Sequence, residues 1–301
     1  MPRPRNGLVG GLPGLYDGPM ENRGVLRGTV RTSGAIRAVT VSTLLAPLLD
    51  EGVGGCRGIV LSVHGSAINV VIDGALVTVA GERAGGLPNG VLVADPFDPR
   101  SLGLRAGGQI RITVRSARQW SPELRPIGSP PELEVRLGIA RQVVVDHTSG
   151  LRGIVPAADA FADLGDAFAS GSGASIVRAG RDLAGLGPGL TPSGDDILVG
   201  LTAGLTALGD GRARGFARAW ARHAIGRTTV VGESFHRYAA VGAYSERIHD
   251  VLRAILTGPL VAIPAAVATA AAWGATSGVD TLAGILLALE PPRANAGLGA
   301  A

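Results

Sequence analysis

The chain has 301 residues, enough for one large domain or two ordinary ones, and its 46% hydrophobic content and mean hydropathy of +0.30 exclude wholesale disorder. All 28 basic residues are arginine, which excludes Schiff-base chemistry, a Walker-type phosphate lysine and a lysine general base. A net charge of +4 on a chain only 4% aromatic offers few stacking platforms for nucleic acid, and the lone Cys56 excludes an internal disulfide and a CxxC metal knuckle.

In chain order, residues 1–23 are rich in Gly and Pro and lack a continuous apolar run, so a flexible arm is expected there rather than an export signal. Residues 24–128 are expected to form a β-rich, barrel-like or sandwich half. Its elements are a short helix over Val39–Leu49, then strands over Gly58–His64, Ala67–Ile72, Ala75–Ala80, Val91–Ala94 and Gln109–Arg115. Asp73-Gly74 between the second and third of these strands is a two-residue hairpin signal. In the last strand Ile110, Ile112 and Val114 alternate with Arg111, Thr113 and Arg115.

Residues 129–290 carry helical patterns instead, which makes the whole chain α+β, and residues 291–301 read as a flexible tail. Helices are expected over Glu132–Asp146, Pro156–Ala169, Ser175–Leu183, Arg214–Ile225, Thr229–Gly242, Tyr244–Leu256 and Val261–Trp273. Arg214, Arg218 and Arg222 fall four apart, as on a solvated helix face. No residue between Arg253 and Asp280 is charged, but Pro259, Pro264 and abundant alanine favour a buried helix over a membrane span.

The richest stretch is Gly185-Leu-Gly-Pro-Gly-Leu-Thr-Pro-Ser-Gly-Asp-Asp196, which runs into an apolar helix marked by Leu198, Leu201, Leu205 and Leu208. Ser193 reads as its N-cap with Asp196 as the reciprocal partner of a capping box. A partial copy lies downstream: Ser193-Gly-Asp-Asp196-Ile-Leu-Val-Gly200 aligns with Ser277-Gly-Val-Asp280-Thr-Leu-Ala-Gly284. Two capped core helices would explain the copies by themselves. The Gly-Pro-Gly loop and the second aspartate exceed what capping needs, and unpaired helix-start amides suit a small anion. Gly200 and Gly204 imply helices that approach closely.

Other residues are weaker. His236, one turn from Glu233, could act as acid or base, although an ordinary helix-surface histidine is its default. Arg181 and Arg227 could neutralise a carboxylate, although surface positions are their default.

Over most of its length, and most closely after Ala184, the chain resembles the AllH-type proteins, the family of the oxamate carbamoyltransferase subunit. The resemblance rests on Gly187-Pro-Gly-Leu-Thr-Pro-Ser-Gly-Asp-Asp196, on Arg227-Thr-Thr-Val-Val-Gly-Glu-Ser234 with Tyr238 and Gly242, and on Gly274-Ala-Thr-Ser-Gly-Val-Asp280. The segment around Asn69 and the Trp120-Ser-Pro stretch are similar too. Ala275 stands where the family commonly carries histidine. The resemblance implies association with FdrA-like and other carbamoyltransferase subunits, and transfer of a carbamoyl group between oxalurate and carbamoyl phosphate.

On that basis Asp195, Asp196 and Ser193 are the expected catalytic residues, and Gly187, Gly189, Thr191, Gly194, Thr276, Ser277, Gly278, Asp280, Ser234 and Asn69 the substrate-binding ones. Asp195 and Asp196 either orient a substrate NH2 group or hold Mg²⁺; no other cofactor is required. Asp195→Asn is expected to abolish activity with little change in melting temperature. A cytoplasmic protein with a small anionic substrate is expected, without nucleic-acid or membrane partners and with self-association left open. Two other readings stand beside it: a non-catalytic subunit that binds a small carboxylate or a partner, and a Mg²⁺-dependent hydrolase of the ADP-ribosylglycohydrolase type. The single late aspartate and the β-rich first half do not suit the hydrolase.

Overall fold

The structure is a computed structural model, described for residues 31–49, 55–148 and 158–290. The expected terminal arm, 1–23, and tail, 291–301, lie outside the described residues. The chain divides into two units, residues 1–122 and 123–301.

The N-terminal unit is one curled sheet of eight strands: β1 (Arg31–Arg37), β2 (Thr40–Ser42), β3 (Cys56–Val63), β4 (Ala67–Ile72), β5 (Ala75–Gly81), β6 (Gly90–Val93), β7 (Gln109–Thr113) and β8 (Arg118–Trp120). Their spatial order is β1-β7-β3-β4-β5-β6-β2-β8, so the sheet forms a half-barrel with β1 and β8 at its edges. The β3–β4–β5 meander is antiparallel, whereas β1–β7, β5–β6 and β2–β8 pair in parallel. Alternation in β7 buries Ile110 and Ile112 and exposes Gln109 and Arg111, as the sequence pattern requires. One face of the sheet collects Val60, Ile68, Val70, Ile72, Val77, Val79 and Val91 into a single apolar cluster with Leu45 and Leu49 of the connection after β2.

The β4–β5 hairpin turns on Asp73 (φ 49°) and Gly74 (φ 81°), both in the left-handed region that a two-residue type I′ turn demands. Replacing Gly74 by alanine puts a Cβ into that region, and a loss of about 1 kcal/mol in urea-denaturation stability is expected. The helix expected over Val39–Leu49 is a misreading in its first half. Its β-branched start, Thr40–Ser42, is β2, and only Ala46–Leu49 (α1) is helical.

The C-terminal unit is helical: α2 (Leu133–Thr148), α3 (Ala158–Ala169), α4 (Gly173–Leu183), α5 (Ser193–Leu208), α6 (Ala213–Ala224), α7 (Val230–Ala239), α8 (Glu246–Leu256), α9 (Ile263–Ala271) and α10 (Ser277–Leu289). Pro259 and Pro264 divide the uncharged stretch into the end of α8, a 3-10 turn and α9. No helix among the described residues is long and apolar enough to cross a membrane.

Beyond its polar first turn helix α5 is largely apolar, and only Val199, Thr206 and Leu208 escape burial. Such a helix belongs in the middle of a domain. Its Leu198, Leu201 and Leu205 join one apolar cluster with Trp220 and Leu183, while Ala203 and Ala207 join another with Leu252 and Ile285.

Its closest companion is α10. A Cβ placed on Gly200 would run into the carbonyl oxygen of Thr281, and one placed on Gly284 into that of Ile197. Gly200 and Gly284 are equivalent positions of the repeat, as are Ile197 and Thr281. Each helix therefore presents its glycine to the same point on the other, and the pair runs side by side in the same sense, related by a local two-fold axis.

Candidate functional site

The local two-fold brings the starts of α5 and α10 together. Pro192 and Thr276 are the N-cap residues, neither making a side-chain cap, and Ser193 and Ser277 are the first helical residues. The expected capping box, Ser193 with Asp196 on one helix, is therefore not formed. The partners are exchanged between the helices: the hydroxyls that favour ionised Asp196 are Ser277 and Thr191, and those that favour ionised Asp280 are Ser193 and Thr276. Thr191 Oγ1 and Ser277 Oγ, 2.8 Å apart, share a hydrogen bond and tie the glycine loop to the start of α10.

These hydroxyls do not satisfy either carboxyl. Asp196 is 4% exposed, and its Oδ2, like Oδ2 of Asp280, is buried without a hydrogen-bond partner. Burial pushes the Asp196 carboxyl well above the ordinary carboxylate range, and the charges of Asp280 and Asp195 act in the same direction. Asp280 is raised as well, again chiefly by burial.

Asp195 has a different environment. Its Oδ1 accepts from the Gly185 amide and from Nε2 of His236, both at 2.8 Å, and its Oδ2 accepts from the Thr228 hydroxyl. Asp195 thus fastens the beginning of the glycine loop and the start of α7 to the start of α5. Thr229 adds a second fastening by donating to the Leu190 carbonyl. These donors engage both oxygens of Asp195, so the expectation of an unchanged melting temperature for Asp195→Asn does not hold for this geometry.

His236 is 2% exposed, which overturns the surface reading. It lies on the buried face of α7 with Gly232 and Ala239. The available signal was its three- and four-residue spacing from those small residues, obscured by the neighbouring Glu233 and Arg237. Thr228 gave no sequence signal beyond its place in the family-like stretch.

The glycine loop leaves Pro188, Gly189 and Leu190 exposed, with Gly187 partly buried against Ser193. Two of the amides expected to cradle an anion are engaged. Gly194 N–H donates to the Leu186 carbonyl and Gly278 N–H to the Trp273 carbonyl, both at 2.9 Å. Ser234 is buried in α7, and the Phe235 ring meets the Trp273 ring edge-on with centroids 6.5 Å apart. Helix α7 therefore contacts both the α5 start and the segment leading into α10.

Asn69 belongs to the N-terminal unit. There its side chain donates to Ser62 and accepts from Thr78, which in turn accepts from Asn89, in a ladder across β3, β4, β5 and the start of β6. Arg181 and Arg227 are exposed. Among the described residues no three His, Cys, Asp or Glu side chains converge as a metal-binding group. With both Asp195 oxygens engaged, an Asp195–Asp196 Mg²⁺ pair does not fit this geometry.

The C-terminal unit is thus a helical domain centred on two repeat-related, parallel helices whose starts hold buried carboxyls. Its residues 183–289, roughly a third of the chain, match the family model described as oxamate carbamoyltransferase subunit AllH. The resemblance read from the sequence is borne out over that segment, which spans both repeat copies and the α7 stretch between them. No curated protein and no solved structure matches the chain.

Proposed function

We propose that the paired starts of α5 and α10 bind a small carbamoyl-bearing substrate, and that the chain serves as a subunit of a carbamoyltransferase of the oxamate type. Asp196 carries this reading. A carboxyl that is nearly sealed from water, raised in pKa and left with an unpartnered oxygen is costly to keep, and such costs concentrate where ligands bind. The match to a carbamoyltransferase subunit supplies the reaction class.

In the phosphorolytic direction a phosphate oxygen bonds to the carbamoyl carbon of oxalurate, and the bond from that carbon to the imide nitrogen breaks. Oxamate leaves with a proton on its nitrogen, carbamoyl phosphate remains, and the proton of the attacking hydrogen phosphate replaces the one the acid gives up. Asp196, whose raised pKa keeps a proton available nearer neutrality, is suited to hand that proton to the departing nitrogen. Asp280 shares its environment. Ser193, Thr191, Thr276 and Ser277 supply hydroxyl donors, Gly187, Gly189, Gly194 and Gly278 allow close backbone approach, and Asp195 acts as a positioning residue through Gly185, Thr228 and His236. FdrA-like subunits are the proposed partners.

Asp196→Asn tests the assignment. Because the folded-state pKa is raised, the folded chain holds a proton that the unfolded chain releases, so this carboxyl costs stability as pH rises from its unfolded value through its folded one. The variant is expected to lose oxamate and carbamoyl phosphate binding in calorimetry by at least ~10-fold, and turnover in the reconstituted complex. Its melting temperature at pH 8 should equal or exceed that of the parent, with a shallower decline as pH rises. Binding without turnover, even with partner subunits present, would identify an accessory role. Undiminished binding by the variant would remove Asp196 from the site.

A further inference from the structure

We infer that Ser62 and His64 of the N-terminal sheet form a nucleophile–base pair that takes a small apolar acyl group from an activated ester, an activity separate from that of the helical unit.

A β-bulge makes the pair. The register of β3 on β4 runs Val60 to Val70, Ser62 to Asn69 and Val63 to Ile68, so Leu61 and Ser62 together stand opposite Asn69. The extra residue reverses the alternation of the strand. Up to the bulge, Cys56, Gly58 and Val60 are buried while Arg57, Ile59 and Leu61 are exposed. Beyond it Val63 packs against the apolar cluster that holds Val60, and Ser62 and His64 turn to the other face. Unbroken alternation would have put both of them on the apolar face.

Ser62 Oγ and His64 Nε2 lie 2.9 Å apart, and Ser62 Oγ accepts from Asn69 Nδ2 at 3.0 Å. With Asn69 donating to the oxygen, the hydroxyl hydrogen is left for His64 Nε2, the acceptor within reach. Asn69 is held in that orientation because its Oδ1 accepts from Thr78, whose oxygen accepts in turn from Asn89. Asn69, Thr78 and Asn89 are buried, whereas Ser62 and His64, at the end of the row, are half-buried and open to solvent. A hydroxyl that donates to an imidazole and takes an N–H on its own oxygen is arranged as a nucleophile. Ile59 and Leu61, 40% and 43% exposed, lie before it on the same strand and offer contact to the apolar part of an acyl group.

In the reaction Ser62 Oγ bonds to the acyl carbon and its proton passes to His64 Nε2. The bond from that carbon to the ester oxygen breaks, and His64 returns the proton to the departing oxygen. Water then gives a proton to His64 and bonds to the acyl carbon. Ser62 Oγ leaves, takes that proton back, and the free acid departs.

4-Nitrophenyl acetate on the full chain provides the test, and the lack of lysine removes a common source of background acylation. The parent is expected to release 4-nitrophenolate catalytically, at a rate that falls at least ~100-fold in Ser62→Ala and in His64→Ala; thermal melts confirm that each variant is folded. Independently of any variant, diisopropyl fluorophosphate should stop the release and label Ser62 of the parent in peptide mass spectrometry. Release from Ser62→Ala at the parent's rate, or a label on another residue, would overturn the nucleophile. A silent Ser62→Ala beside an undiminished His64→Ala would overturn the pair. A parent that neither releases 4-nitrophenolate nor takes the label would overturn the inference, and the reading of the helical unit would stand.

Discussion

Replacing Asp195 by alanine is expected to destabilise the protein by about 3–5 kcal/mol, because one buried and two part-buried donors lose their acceptor at once. The Gly185 amide, the Thr228 hydroxyl and Nε2 of His236 all donate to this one carboxylate. Its side chain is 2% exposed, so water does not take its place. For a unit of this size the loss corresponds to a fall in melting temperature on the order of 10 °C. His236→Ala should cause a smaller fall, and the double variant should lose less than the sum, since both changes break the same bond. A melting temperature within 2 °C of the parent for Asp195→Ala would show that the three donors find other partners. The contrast with Asp196→Asn is diagnostic: adjacent aspartates should shift stability in opposite directions because one is saturated and the other is not.

The second large effect is steric. Gly200→Val would drive a branched side chain into the backbone of α10 at Thr281, and Gly284→Val would do the same to α5 at Ile197. Neither obstacle is a flexible side chain that can swing away, so each change is expected to cost at least ~3 kcal/mol, the upper end for overpacking. Because separation of the helices also withdraws Ser277 from Asp196 and Ser193 from Asp280, whatever protein remains folded should bind oxamate poorly. Chemical denaturation and calorimetry on the same samples check both parts. The two single variants should behave alike, since they violate the same contact from opposite sides. Normal stability in either would mean that α5 and α10 do not lie in such close contact.

Some of this was legible in the sequence and some was not, for physical reasons. The β4–β5 hairpin could be read because Asp73-Gly74 fixes a local turn, and β7 because its alternation is local. Strands β1, β2 and β8 escaped notice: they are short or arginine-bearing, and each is held by partners distant in sequence. The repeat of Ser, Gly, Asp, Leu and Gly located both helix starts that meet, and Gly200 announced close helix packing. The capping box misled because a Ser and an Asp three apart fit one helix start as well as two. Only the adjacency of α5 and α10 shows that each serine serves the other helix. His236 was misjudged for a related reason: its partner Asp195 lies 41 positions away, and nothing in α7 announces it.

The crossed serine–aspartate arrangement has an evolutionary corollary. Within one cap, Ser193 would be expected to co-vary with residue 196, and Ser277 with residue 280. With the partners traded, coordinated substitution should instead link 193 with 280 and 277 with 196, across a gap of more than eighty positions in the chain. A substitution in either copy of the repeated segment is therefore felt by the other.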